Sequence, residues 1–209
     1  MQLEVNPFNE KAKTWEQDPI KVRNAKIIAN EIISTIGNAT SLSGFEYGCG
    51  TGLVSFNLQA NLSKIVLADS SKGMLEVASE KIASAQFNNM STLEIDLASQ
   101  KPDDEKFGII YSLLTMHHIT DVKKIFGTFY SMLEPGGYLF IADLDQEDGT
   151  FHGSGFNGHN GFNRLEMKKW CLSVGFTDVE FKTITSITRE LPDGSRKVFP
   201  LFFMKCRKS

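Results

Sequence analysis

Glu46-Tyr47-Gly48-Cys49-Gly50-Thr51-Gly52 is the stretch whose reading decides the fold. A short strand pattern, Gly44 to Tyr47, runs into it and a helical pattern starts after Gly52, so three glycines occupy a strand-to-helix turn. Glycine at such a turn permits positive φ and lets a ligand approach the main chain, while a helix amino terminus presents unpaired N–H groups. The spacing is GxGxG with an acidic residue two positions ahead. A dinucleotide fingerprint GxGxxG opening at Gly48 needs glycine at 53, where the chain has Leu53.

Outward from this turn, strand and helix patterns alternate. Ahead of it, residues 15 to 36 place Ile20, Ala25, Ile28, Ala29, Ile32, Ile33 and Ile36 at helical spacing, stopped by Gly37. Behind it come a strand at Ile65 to Ala68, a helix from about Lys72 to Ala85, and strands at Thr92 to Ile95 and Gly108 to Leu114. A helix from about Val122 to Leu133 and a strand at Tyr138 to Ala142 follow. After Asp143 the rhythm breaks: residues 149 to 161 hold glycines at 149, 153, 155, 158 and 161, the composition of a mobile loop. A helix at about Arg164 to Val174 precedes two apolar runs, Val179 to Ile187 and Lys197 to Cys206, which flank Pro192-Asp193-Gly194 as a hairpin would. The pattern predicts an α/β fold: a doubly wound, Rossmann-like, seven-stranded, mostly parallel sheet with helices on both faces and a C-terminal antiparallel hairpin.

Composition narrows the function classes. With 209 residues, 41% of them hydrophobic, the chain can bury a core of its own, and one domain spanning 1–209 is the simplest organisation. Lys plus Arg total 22 against 25 Asp plus Glu, and the net charge of -3 supplies no general field for nucleic acid or an anionic membrane. No apolar run has a spanning helix's length and no leader pattern opens the chain, so a cytoplasmic protein without membrane contact is expected. Cysteines at 49, 171 and 206 are few, odd in number and far apart, which suggests neither disulfides nor a thiolate metal site.

Two acids close neighbouring strands. Asp69 ends the second, where its carboxylate can accept from ribose hydroxyls, and Asp96 ends the third. Carboxylates on both sides suit a nucleoside without pyrophosphate, and they suit a cationic ligand. At this point the sequence resembles the class I S-adenosylmethionine-dependent methyltransferases. Glu46 to Gly52 is similar to the family's first motif, with Glu rather than Asp at its head; Ala68 to Leu75 (ADSSKGML) resembles its ribose-binding turn; Glu94 to Ala98 (EIDLA) resembles the adenine-flanking motif; Leu133 to Leu139 (LEPGGYL) resembles the turn before the fifth strand. The matches run in order through residues 44–143, about half of the chain. The resemblance implies S-adenosyl-L-methionine as cofactor. It further implies that Gly48, Cys49, Gly50 and Gly52 approach its methionine part with Glu46 nearby, that Asp69 holds the ribose, and that Ser70 and Met74 border the adenosine. Asp96 and Leu97 would flank the adenine, and Leu113, in the fourth-strand exit Tyr111 to His118, would face the reacting centre.

Displacement at a sulfonium methyl needs alignment, exclusion of water and a nucleophile in the right protonation state, so a protein base is optional. All four histidines, His117, His118, His152 and His159, fall just after the fourth or fifth strand, and they are the candidate bases. No HxxxH or HExxH spacing occurs, so no metal is expected. Phe151, Phe156 and Phe162 in the glycine-rich segment, together with Trp15 from the amino-terminal side, are the candidate acceptor contacts; Phe8 and Lys13 are further candidates there. The expected layout is an amino-terminal cover at 1–40, a cofactor core at 44–143, a lid loop at 144–163, and a helix with hairpin at 164–209. A small-molecule methyl acceptor is the expected partner, with no nucleic acid. The competing readings are an RNA or protein methyltransferase, a non-catalytic cofactor-binding module, and an NAD-dependent oxidoreductase, against which Leu53 and Asp96 argue.

Overall fold

The computed structural model describes residues 6–209, so the first five residues of the expected cover lie outside the described residues. The chain divides into two compact units, Met1–Pro102 and Asp103–Ser209. Among the described residues the strands are β1 Ser43–Tyr47, β2 Lys64–Asp69, β3 Met90–Glu94, β4 Phe107–Leu113, β5 Leu133–Leu144, β6 Phe176–Glu190 and β7 Arg196–Lys208. Their order in the sheet is β3-β2-β1-β4-β5-β7-β6. β1, β2 and β3 pair in parallel, as do β4 and β5, whereas β7 runs antiparallel to both β5 and β6. The helices are α1 Phe8–Lys11, α2 Pro19–Ile36, α3 Leu53–Leu58, α4 Lys72–Ala85, α5 Val122–Met132 and α6 Arg164–Ser173. This is the expected α/β sheet. No helix among the described residues is long and apolar enough to cross a membrane.

In the first unit, α2 starts later than the apolar spacing predicts, because Asp18 accepts from Ile20 N at 2.9 Å and Pro19 takes the first helical position, where a missing N–H costs nothing. Residues 12–17 form a 3-10 turn instead. α2 ends where Gly37, at φ 66°, donates its N–H to Ile33 O. β1 and β2 are buried along almost their whole length, as strands of a parallel sheet covered on both faces should be. α4 occupies the predicted residues. Ser71 Oγ accepts from Met74 N to cap it, and Gln86 closes it in a left-handed conformation. Met74, Leu75 and Ala78 form its buried stripe. The segment around Asn9 lies against its amino end: Asn9 Oδ1 accepts from Ser71 Oγ at 2.7 Å and from Gly73 N at 3.0 Å. A Cβ on Gly73 would stand 2.8 Å from Asn9 O and 2.9 Å from its Cα, so only glycine allows this approach.

In the second unit, α5 buries Val122, Ile125, Phe126, Phe129 and Met132, and β7 contributes a fully buried run, Leu201 to Met204. The hairpin forms where Asp-Gly predicts it. Gly194 N donates to Leu191 O, Leu191 N donates to Ser195 O, and Gly194 sits at φ 80°. Cys171 and Cys206, distant in sequence, are both buried free thiols. They lie in hydrogen-bond contact, with burial pushing the Cys206 thiol far up. The glycine-rich segment has no regular structure, as expected, yet it is tied down at its neck: Gln146 N donates to Phe162 O, Glu147 N to Asn160 O, and Phe162 N to Leu144 O. Arg189 adds a bond to Phe151 O at 2.7 Å and lies 3.8 Å over that ring, and Arg164 makes two 2.6 Å contacts to Asp145.

Candidate functional site

The glycine turn closes on Asp69. Gly48, Gly50 and Gly52 all have positive φ, 67°, 54° and 83°. Their N–H groups are used within the turn: Gly48 N and Cys49 N donate to Ala68 O, Gly52 N donates to Cys49 O, and Gly50 N donates to Asp69 Oδ2 at 2.8 Å. What the turn offers is close approach. A Cβ at Gly50 would stand 3.5 Å from Trp15 Nε1 and 3.9 Å from Met74 Sδ, so an indole, a thioether and a bare main chain converge there. Gly52 serves packing, since a Cβ there would collide with Leu67 at 2.5 Å.

Asp69 Oδ1 accepts from Ser71 N at 2.8 Å. Burial pushes its carboxyl up, and the Ser71, Gly50 and Ser70 N–H groups pull it back. Gly50 N–H takes Oδ2 and Ser71 N–H takes Oδ1, with Ser70 N–H beside them, and the carboxylate's two oxygens retain acceptor capacity for a ligand hydroxyl. Glu46 is buried, accepts from Ser55 N at 3.2 Å and from Ser55 Oγ, and so ties β1 to α3. Burial pushes its carboxyl up to about 8. Cys49 is buried too, its thiol pushed well up by desolvation, so it is no nucleophile.

Asp96 Oδ1 accepts from Ala98 N and Oδ2 from Ser99 Oγ, both at 2.9 Å, so this carboxylate holds its own turn. Leu97 is buried, and the Tyr47 phenol reaches its main chain. Ser70 is exposed, with Oγ accepting from Asn6 Nδ2 at 3.4 Å. Trp15 is half-buried beside Phe8, edge-on at 6.0 Å, and Lys13 points to solvent. Glu16 fastens this cover by accepting from Thr51 Oγ1 at 2.6 Å and pairing with Lys81.

A second constellation lies wholly in the other unit. β4 ends at Leu113, and Leu114 follows at φ 52°, a strained conformation for leucine, before the 3-10 turn Met116–His118. Asp143, fully buried near the end of β5, holds His117 twice: Oδ1 lies 2.7 Å from His117 Nδ1 and Oδ2 accepts from His117 N at 3.2 Å. The rings of His117, His118 and His152 stand 4.2, 5.0 and 5.6 Å apart, centre to centre. Phe156 stacks on His152 at 3.9 Å. His159 does not join them. It pins the loop, donating its N–H to His117 O at 2.7 Å and placing Nε2 3.0 Å from Ile119 O. Phe151 and Phe162 also depart from their expected role: both are buried, Phe151 edge-on to Phe199 at 5.1 Å and Phe162 edge-on to Phe202 at 6.5 Å, because the tied neck folds them into the core. Asp143 escaped the sequence reading. Its signal was an acid at a strand's carboxyl end, the same feature that singled out Asp69.

The comparisons agree with this architecture. A family model described as a methyltransferase domain matches residues 45–137. The match falls on the same stretch whose motifs resemble the class I S-adenosylmethionine-dependent methyltransferases. An uncharacterized methyltransferase of Schizosaccharomyces pombe is 26% identical over 147 residues, covering 67% of this chain and 51% of that protein. Malonyl-[acyl-carrier protein] O-methyltransferase 1 of Ilyobacter polytropus is 31% identical over 135 residues, 63% of this chain and 48% of its own length. The chain thus spans about half the length of these two relatives. In structure it is similar to the phosphoethanolamine N-methyltransferase 2 of Haemonchus contortus, solved in complex with S-adenosyl-L-methionine. The TM-score is 0.71 at 17% identity, with 98% of this chain and 60% of that one covered. The turn passes its own test of fit for a cofactor: Asp69 retains acceptor capacity, and any side chain at Gly50 would occupy the gap between Trp15 and Met74.

Proposed function

We propose that the protein transfers a methyl group from S-adenosylmethionine to a small-molecule acceptor by in-line displacement. The observation that carries this reading is the Asp69 carboxylate clamped to the glycine turn by Gly50 N–H, with Ser71 N–H on its other oxygen. When bound, the cofactor supplies an already activated methyl on a sulfonium. Asp69 would then hold the ribose hydroxyls, Gly48 and Gly50 would let the methionine portion lie close to the main chain, and Trp15 and Met74 would border it. In the other unit, the fourth-strand exit from Leu113 to His118 and the loop residues His152 and Phe156 would handle the acceptor and keep water out. The net charge of -3 favours a small acceptor over a nucleic acid.

Calorimetry with S-adenosylmethionine, S-adenosylhomocysteine and NAD tests the cofactor half; binding of NAD alone would overturn it. Release of S-adenosylhomocysteine across a panel of small hydroxyl, amine and thiol compounds, with RNA and protein as parallel substrates, tests the acceptor half. Turnover confined to the macromolecules would sink the small-acceptor reading and leave the cofactor site standing.

A further inference from the structure

We propose that His117, His118 and His152 bind one divalent transition-metal ion of the imidazole-preferring kind, with zinc the first choice. The inference stands apart from the identity of the methyl acceptor, and it reverses the expectation drawn from the missing HxxxH spacing. Each histidine offers a ligand atom, and these atoms all lie within 4.8 Å of one another. Around a tetrahedral ion with Zn–N bonds of about 2.0 to 2.1 Å, ligating nitrogens stand roughly 3.3 Å apart and imidazole centres roughly 5 Å apart. The ring centres here, at 4.2, 5.0 and 5.6 Å, straddle that spacing. Modest ring rotations would bring the nitrogens together, and His118 is exposed, so its rotation disturbs little packing. Aromatic packing explains the stack of Phe156 on His152, but it gives no reason for three ligating nitrogens to converge.

Asp143 is the second observation. With its carboxylate 2.7 Å from Nδ1, His117 has Nε2 as the nitrogen that can ligate, and a buried carboxylate behind one ring nitrogen is how metal-binding imidazoles are oriented and made more basic. The loop is brought to the same place by fixed geometry. A Cβ on Gly158 would stand 2.3 Å from His117 O, and His159 bonds to His117 O and Ile119 O, so the loop that carries His152 is seated against residues 117–119. Three imidazoles suit zinc, cobalt, nickel or copper and not magnesium or calcium, which take oxygen ligands. Because the three imidazoles are neutral and Asp143, behind His117, is the one carboxylate held to them, the fourth position favours water, hydroxide or an anionic oxygen or sulfur.

The test uses untagged protein stripped with a chelator, then titrated with Zn2+ by calorimetry and with Co2+ by visible absorption. One equivalent of Zn2+ and a tetrahedral Co2+ spectrum are expected. His118→Ala and His152→Ala should each weaken Zn2+ binding by at least tenfold, and Asp143→Asn by about 10- to 100-fold. Absence of Zn2+ binding by the parent protein, or a loss below tenfold in either histidine variant, would overturn the site and leave a stack of packed rings. Far-ultraviolet circular dichroism of the two histidine variants checks that they fold, and neither removes a fully buried side chain.

Discussion

Glu46 carries a proton at a cost that depends on pH. Its carboxyl is pushed up to about 8 by burial, whereas in the unfolded chain it titrates near its ordinary value of 4.5. Between those values the folded state retains a proton that the unfolded state has released. The contribution is therefore complete below about pH 4.5 and is lost as pH rises towards 8. Glu46→Gln keeps an acceptor for Ser55 and removes the titration, so urea unfolding at pH 5 and pH 8 should show a smaller loss of stability in the variant, by a few kcal/mol at most. An identical pH slope in both proteins would refute the assignment. Asp69 gives the complementary case, a charged group that a ligand needs. Asp69→Ala should weaken S-adenosylmethionine binding about 5- to 150-fold, equivalent to ~1 to 3 kcal/mol, as read by calorimetry. Unchanged affinity would remove Asp69 from the site.

At the scale of elements, the amino-terminal segment depends on one glycine of α4. Alanine at position 73 would favour the helix by up to about 1 kcal/mol, yet its Cβ would strike the Asn9 main chain. Gly73→Ala is therefore expected to leave α4 intact while amide exchange across residues 8–17 speeds up. Cofactor affinity should fall with it, because Trp15 withdraws from Gly50. Unaltered exchange in that segment would contradict the packing argument. α4 also shows why some elements are legible in sequence: its cap Ser71, its apolar spacing and its length are all local, and its bounds, Lys72–Ala85, are those that the pattern predicts. β6 and β7 extend beyond their apolar runs because a ladder recruits flanking residues such as Arg189 and Arg207, which no hydrophobic pattern marks.

At the scale of the whole molecule, the candidate cofactor residues other than Leu113 belong to one compact unit and the histidine cluster to the other. Hydrogen exchange should report them separately. S-adenosylmethionine is expected to slow exchange at residues 48–52 and 69–74, and Zn2+ at 116–118 and 150–158. Protection by Zn2+ confined to the first unit would argue against the cluster. The same division marks the limit of sequence reading. Gly48, Gly50, Gly52 and Asp69 stand out because each lies at a strand end inside a contiguous motif. The cluster does not, since His152 reaches His117 only through a tied loop 35 residues on, and Asp143 gains its meaning only once His117 is beside it. Phe151 and Phe162 misled for the same reason: composition cannot tell a ring offered to a ligand from one folded under a neck.

The strand order has a consequence for synthesis. β5 pairs along one edge with β7, although β6 precedes β7 in the chain. After β5 leaves the ribosome, its apolar edge from Leu139 to Leu144 has no native neighbour on that side until β7 is made, a delay of roughly 60 residues, or ~3 to 12 s at ordinary rates of translation. A newborn chain thus exposes a strand edge able to join its own kind, and slow translation or scarce chaperones should turn that interval into aggregation.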